Sequence, residues 1–182
     1  MKRTGEELFS NGHSLTDFWR WAHSDILSNA ERGHLAEFIV AMALGIDEDC
    51  RKEWDAYDLL FKDNIRIEIK SSAYLQSWEQ TSLSKIVFDI KPTRLWDEKS
   101  HKYSDSRIRR SDIYIFCLFK CTDVEKANPL DLAQWDFYIV RTSEINKKLS
   151  NQKTISLNSL KRLEHKKADF TELKKAVENF QK

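Results

Sequence analysis

The chain has 182 residues, 41% of them hydrophobic and 12% aromatic, with only four Gly and two Pro, which gives it matter for one packed domain of the usual ~150-residue scale and excludes disordered, collagen-like and low-complexity classes. The net charge of +1 hides an asymmetry: residues 1–90 carry 10 Lys and Arg against 16 Asp and Glu, and residues 91–182 carry 20 against 13. An acidic half suits metal ions and a basic half suits a polyanion, with uneven surface composition as the plainer alternative.

In chain order, the first predicted element is a helix from Ser14 to about Asn29. Leu15, Phe18, Ala22 and Ile26 share one stripe, and Ser14 with Asp17 forms a capping box. A second helix is expected from about Glu31 to Leu44, stopped by Gly45. Nine of the ten residues from Leu35 to Leu44 are apolar, so this helix should be buried nearly all round. Glu37 is the exception, and a carboxylate in such a place must be paired, protonated or bound to a cation.

Two short β-like runs follow, joined by an Asp63-Asn64 turn signal. In the second run Ile65, Ile67 and Ile69 point one way while Arg66, Glu68 and Lys70 point the other. A strand is expected at Lys85–Ile90, then a polar connection over residues 92–111. Ile113–Phe119 is continuously apolar and reads as a central strand covered on both faces. Phe137–Thr142 reads as another strand, Thr154–Ser156 as a short final one, and Asp169–Phe180 as a capped amphipathic helix. This order makes a mixed α/β or α+β fold. Trp19, Trp21, Trp54 and Trp135 read as core or interface residues, and His34 as a packing or surface residue.

No run approaches the ~20 apolar residues of a membrane span, and no signal-peptide core opens the chain. Cys50, Cys117 and Cys121 are too few and too scattered for a disulfide framework or a zinc site, so a reduced, cytoplasmic setting is expected. Gly-x-Ser-x-Gly and a Gly-rich phosphate loop are both missing.

The chemistry concentrates at Asp58, Glu68 and Lys70. Glu68 and Lys70 are two apart on one strand and share its face, and a hairpin brings Asp58 towards Glu68. Two carboxylates brought close repel and raise a pKa unless a divalent cation sits between them, and hard oxygen ligands suit Mg²⁺ or Mn²⁺. A neighbouring lysine then orients a water or stabilises charge on a phosphoryl group.

Asp58 followed by Glu68-Ile69-Lys70 resembles the Asp…Glu-x-Lys signature of the PD-(D/E)XK nuclease superfamily, and Arg32–Val40 looks like that superfamily's first core helix. The resemblance covers roughly residues 31–142. It implies a restriction-endonuclease-like fold, a central mixed sheet flanked by helices, with residues 1–30 as a helical extension and 143–182 as a C-terminal strand and helix. It further implies a Mg²⁺- or Mn²⁺-dependent endonuclease hydrolysing phosphodiester bonds, with DNA as the expected substrate and a homodimer as the expected working unit. By position, Asp58 and Glu68 become metal ligands, Lys70 the catalytic lysine and Glu37 an auxiliary metal-site carboxylate. The residue before Asp58 is Tyr57 rather than Pro, so the first half of the motif is inexact. Asp55 competes for the ligand role; Asp58 is favoured because Leu59-Leu60-Phe61 reads as strand. The alternative function is a non-catalytic nucleic-acid-binding protein that keeps the fold.

Nucleic-acid contacts are expected from two segments. Gln76 and Trp78 lie in a polar and aromatic stretch after the motif strand. Arg107, Arg109 and Arg110 close a stretch, Lys91 to Arg110, with seven Lys and Arg against three acids.

Overall fold

The computed structural model describes residues 3–48, 50–51, 56–62, 64–94, 96–97 and 101–180. The chain opens with helix α1 (Leu15–His23), whose capping box forms as expected: Ser14 accepts from the Asp17 N–H and the Asp17 carboxylate accepts from the Ser14 N–H. The helix stops at His23, six residues before the expected end. Helix α2 (Asn29–Leu44) starts instead on Ser28, whose hydroxyl accepts from the Glu31 N–H at 3.4 Å. A second serine cap thus divides what the apolar stripe suggested was one helix. At the other end Gly45 adopts φ +73°, the left-handed cap that only glycine takes cheaply, and its N–H reaches Ala41 and Met42 carbonyls.

Strands β1 (Leu59–Phe61) and β2 (Ile65–Ala73) form the expected hairpin, with Leu59 opposite Ile67 and Phe61 opposite Ile65. Asp63 of the turn signal lies outside the described residues, as do Trp54 and Asp55. After β2 come β3 (Val87–Asp89) and a small ladder of β4 (Trp96–Asp97) with β5 (Lys102–Tyr103), inside the expected polar connection. Strand β6 (Ile113–Phe119) then lies parallel to β2, and β7 (Trp135–Arg141) runs back against it. All seven residues of β6 are buried, as its unbroken apolar run required.

The remaining chain departs most from expectation. Helix α3 (Thr142–Leu149) follows β7 directly, and β8 (Thr154–Ser156) pairs with β3 rather than with the main sheet. After the single turn α4 (Leu157–Leu160), strand β9 (Lys166–Ala168) completes the main sheet, and α5 (Phe170–Phe180) closes the chain. The order is β1-β2-β6-β7-β9. Lys166-Lys167-Ala168 has no apolar alternation to betray it; its lysines suit an edge strand, where charge discourages pairing with another chain.

The sheet is packed on both faces. On one, α2 and α5 cover Ile65, Ile67, Ile69, Ile115, Phe137 and Ile139. On the other, β3, β8, α3 and α4 cover Tyr114, Phe116, Tyr138 and Val140. The period-2 alternation along β6 and β7 divides the residues between these cores. Trp135 is fully buried, with its indole N–H on the Pro129 carbonyl at 2.9 Å. Trp19 and Trp21 are not core: α1 buries no residue fully, and Trp21 is 85% exposed. Nor is α2 buried all round, since Phe38 is half exposed. Among the described residues no helix is long and apolar enough to cross a membrane.

Candidate active site

The geometry begins with the hairpin. Asp58 stands one residue before β1, where its N–H donates to the Ile67 carbonyl at 3.0 Å. Its carboxylate Oδ2 then accepts from the Ile69 N–H at 2.6 Å. Where the β1 ladder ends, the Asp58 side chain takes the place of a missing backbone partner. This charge-assisted bond fixes the carboxylate beside the strand that carries Glu68 and Lys70.

On β2 the three isoleucines enter the core at 1%, 0% and 5% exposure, so strand alternation sends Glu68 and Lys70 to the opposite face. Lys70 Nζ lies 2.6 Å from Glu68 Oε1, and both side chains retain about a quarter of their exposure, 29% and 23%. Burial raises the Glu68 pKa above the ordinary carboxylate range. Lys70 opposes that shift, while the Asp58 and Glu37 carboxylates add to it. For Lys70, burial alone works to lower the pKa, but Glu68 and Asp58, with a further contribution from Asp89, outweigh it and hold the ammonium above its usual value. Lys70 is therefore a cation throughout the neutral range. Burial decides the direction of the Glu68 shift, with the Asp58 and Glu37 carboxylates acting in the same sense. Burial and the same negative field also raise Tyr114, which is opposite Glu68 on β6, and Cys117.

Glu37 reaches this region from α2. Its carboxylate is paired, as burial required: Arg51 Nε donates to Oε2 at 2.5 Å and an Arg51 terminal nitrogen to Oε1 at 3.1 Å. Glu37 and Asp58 both line a cleft of about 520 Å³, shared with His34, Phe38, Arg51 and Tyr57. His34 is a surface residue 3.6 Å from Glu31. In the sequence Arg51 merges into a run of mixed charge, and nothing there marks it as the partner of Glu37.

Among the described residues no three His, Cys, Asp or Glu side chains converge as a ready-made metal cage. The donor set nonetheless suits a hard cation that keeps most of its water. Mg²⁺ is commonly held by one or two carboxylates together with substrate phosphate oxygens. Asp58 and Glu68 are the two carboxylates that could serve in this way, while both Glu37 oxygens are engaged by Arg51.

The expected nucleic-acid contacts divide. Arg109 is corrected: it is 8% exposed, and its five N–H groups meet the carbonyls of Ile90, Leu149, Ser150 and Gln152 and the side chain of Asn146. With every donor satisfied internally, it clamps α3 and the β8 approach to β3 and has nothing left for a phosphate. Arg110 is half-buried and bonds the Thr93 carbonyl at 2.9 Å, while Arg107 is exposed. Trp78 is 55% exposed, and half-buried Gln76 bonds the Ala73 carbonyl.

No curated protein matches the sequence. A family model described as bacteriophage T4 endonuclease IV matches residues 13–159, a stretch that contains Glu37, Asp58, Glu68 and Lys70 and runs from the cap of α1 into α4. Most of the chain is covered, so this protein belongs to the bacteriophage T4 endonuclease IV family and is a nuclease.

Proposed function

We propose that this nuclease is an endonuclease that hydrolyses phosphodiester bonds in DNA with Mg²⁺, or Mn²⁺ in its place, at the Asp58–Glu68–Lys70 site, on a restriction-endonuclease-like variant of the PD-(D/E)XK design. The observation that carries the reading is the Asp58 carboxylate held by the Ile69 N–H beside a half-buried Glu68–Lys70 pair. Family membership supports nuclease chemistry, and the mixed sheet with its parallel β2–β6 pair agrees with the fold expected from the motif.

In this reading Asp58 and Glu68 would hold the cation, and Glu37, paired with Arg51, would be an auxiliary carboxylate. When bound, a hard divalent cation polarises the phosphodiester and acidifies a water. Asp58 keeps its position through the backbone bond, so its geometry costs little reorganisation. Burial, with a smaller contribution from the Asp58 and Glu37 carboxylates, raises the Glu68 pKa, and a cation at the site would favour its ionised form. In this reading Lys70 acts as a cation, its ammonium held by the Glu68 and Asp58 carboxylates. Its ammonium stabilises the negative charge that builds on the phosphoryl oxygens as water attacks and the P–O bond breaks. The resemblance also carries a homodimer as the working unit.

The test is incubation of plasmid and single-stranded DNA with the protein in Mg²⁺, in Mn²⁺ and in EDTA. Cleavage should require the divalent ion and disappear in Glu68→Ala and Lys70→Ala with the fold intact. Undiminished cutting by both variants refutes the site. Metal-independent DNA binding without cleavage instead favours the non-catalytic binding protein.

A further inference from the structure

Arg32 is the most deeply buried charge in the described chain, at 3% exposure. Its hydrogen bonds all go to neutral acceptors: Nε to Ser71 Oγ at 3.2 Å, and the terminal nitrogens to the Leu27 carbonyl, Asn29 Oδ1 and Gln76 Oε1 at 2.9, 2.7 and 3.4 Å. None of the carboxylates among the described residues pairs with it; Glu31, next to it in sequence, faces His23 and His34 instead. A buried cation without an anion is costly. Arg32 also lies in the first turn of α2, where the helix dipole disfavours positive charge.

The partners of Arg32 show where its charge is directed. Ser71 follows Lys70 on β2, and Gln76 lies in the turn beyond the strand. Ser71 Oγ accepts from Arg32, so its own hydroxyl proton is left to donate. Gln76 accepts through Oε1 and gives one amide N–H to the Ala73 carbonyl at 3.0 Å, which leaves its second N–H. Both residues are only half-buried. Two neutral donors thus stand beside a buried positive charge, with Ser71 on the α2 side of β2, the face opposite Glu68 and Lys70.

We propose that Arg32, Ser71 and Gln76 form a phosphate subsite that holds a backbone phosphate of the bound strand on the α2 side of the sheet. The phosphate oxygens accept from the Ser71 hydroxyl and the Gln76 amide, and Arg32 supplies the balancing charge from behind. The subsite rests on the nucleic-acid reading above but not on its metal assignment. A purely structural Arg32, tying α2 to β2, is the competing account, and only a charge-linked property separates the two.

The experiment is fluorescence-anisotropy binding of short labelled DNA, single-stranded and duplex in separate titrations, to the full chain in EDTA across a salt series. Arg32→Met should weaken binding about tenfold at low salt and reduce the slope of log K against log salt by about one, while Arg32→Lys keeps the wild-type slope. Wild-type affinity and slope in Arg32→Met, or weaker binding with an unchanged slope, overturns the proposal. Should Arg32→Met fail to fold by circular dichroism, the Ser71→Ala/Gln76→Ala double variant serves: about fivefold weaker binding supports the subsite and unchanged binding overturns it. No metal enters the measurement, so an error in the metal assignment leaves the expected result standing. Failure of the wild-type protein to bind DNA removes the nucleic-acid reading and the subsite with it.

Discussion

Replacing Lys70 with methionine keeps the length of the side chain and deletes the ammonium 2.6 Å from Glu68. Glu68 then faces Asp58 and Glu37 without a cation at its side. Breaking a fully buried pair costs about 3–5 kcal/mol, and an exposed pair is worth under about 1. Both groups keep about a quarter of their exposure, so the variant should lose about 1–2 kcal/mol at pH 8, a fall of about 2–8 °C in melting temperature for a chain of this size. The sign with pH follows from Glu68. Its folded pKa is already raised, and losing Lys70 raises it further. A carboxyl group with a raised folded pKa favours the folded state while protonated, and that contribution fades as pH climbs through the folded pKa. The deficit should therefore shrink on going from pH 8 to pH 5. A divalent cation supplies the same missing charge, so saturating Mn²⁺ should raise the variant more than the wild type at pH 8. Thermal melts of both proteins at the two pH values, in EDTA and in Mn²⁺, read all of this. A Lys70→Met protein that melts with the wild type at both pH values shows that the carboxylates do not share one field, and refutes the reasoning.

Three further outcomes follow from the same structure. Asp58→Asn keeps an acceptor for the Ile69 N–H and should fold with near-native stability yet lose cleavage by about a hundredfold or more, whereas Asp58→Ala should also lose about 1 kcal/mol in denaturant titrations. Arg109→Met removes five hydrogen bonds that join Ile90 to α3 and the approach to β8 and should cost about 3–5 kcal/mol, with Arg109→Lys failing to restore it; a thermal melt close to wild type contradicts the clamp. The acid limb of the pH–cleavage profile should follow Glu68, lie above the ordinary carboxylate range and move higher in any residual activity of Lys70→Met; a limb at the same pH in both proteins argues that another group controls it.

The sequence revealed what periodicity and capping encode. The isoleucines of β2 and the uninterrupted apolar run of β6 place those strands without reference to anything distant in the chain. For Glu37, the apolar surroundings announced that a partner was needed but not which one. Arg51 is fourteen residues away, and only the folded chain brings it there. Arg109 and Arg107 look alike in a basic stretch, and burial separates the structural clamp from the exposed residue. Likewise β9 has no apolar pattern of its own, because a short edge strand is recruited by β7 rather than by internal preference. The solitary charge of Arg32 is hidden for the same reason: nothing in the sequence at the start of α2 tells that a guanidinium there pairs with no carboxylate among the described residues.

The central claim is that Asp58 and Glu68 act together on one divalent ion. Calorimetric titration of Mn²⁺ into the wild-type protein, Asp58→Ala and Glu68→Ala at pH 8 tests it most directly. The account predicts one site in the wild type, weakened at least tenfold in each variant by the loss of a carboxylate. Equal Mn²⁺ affinity in all three proteins contradicts it.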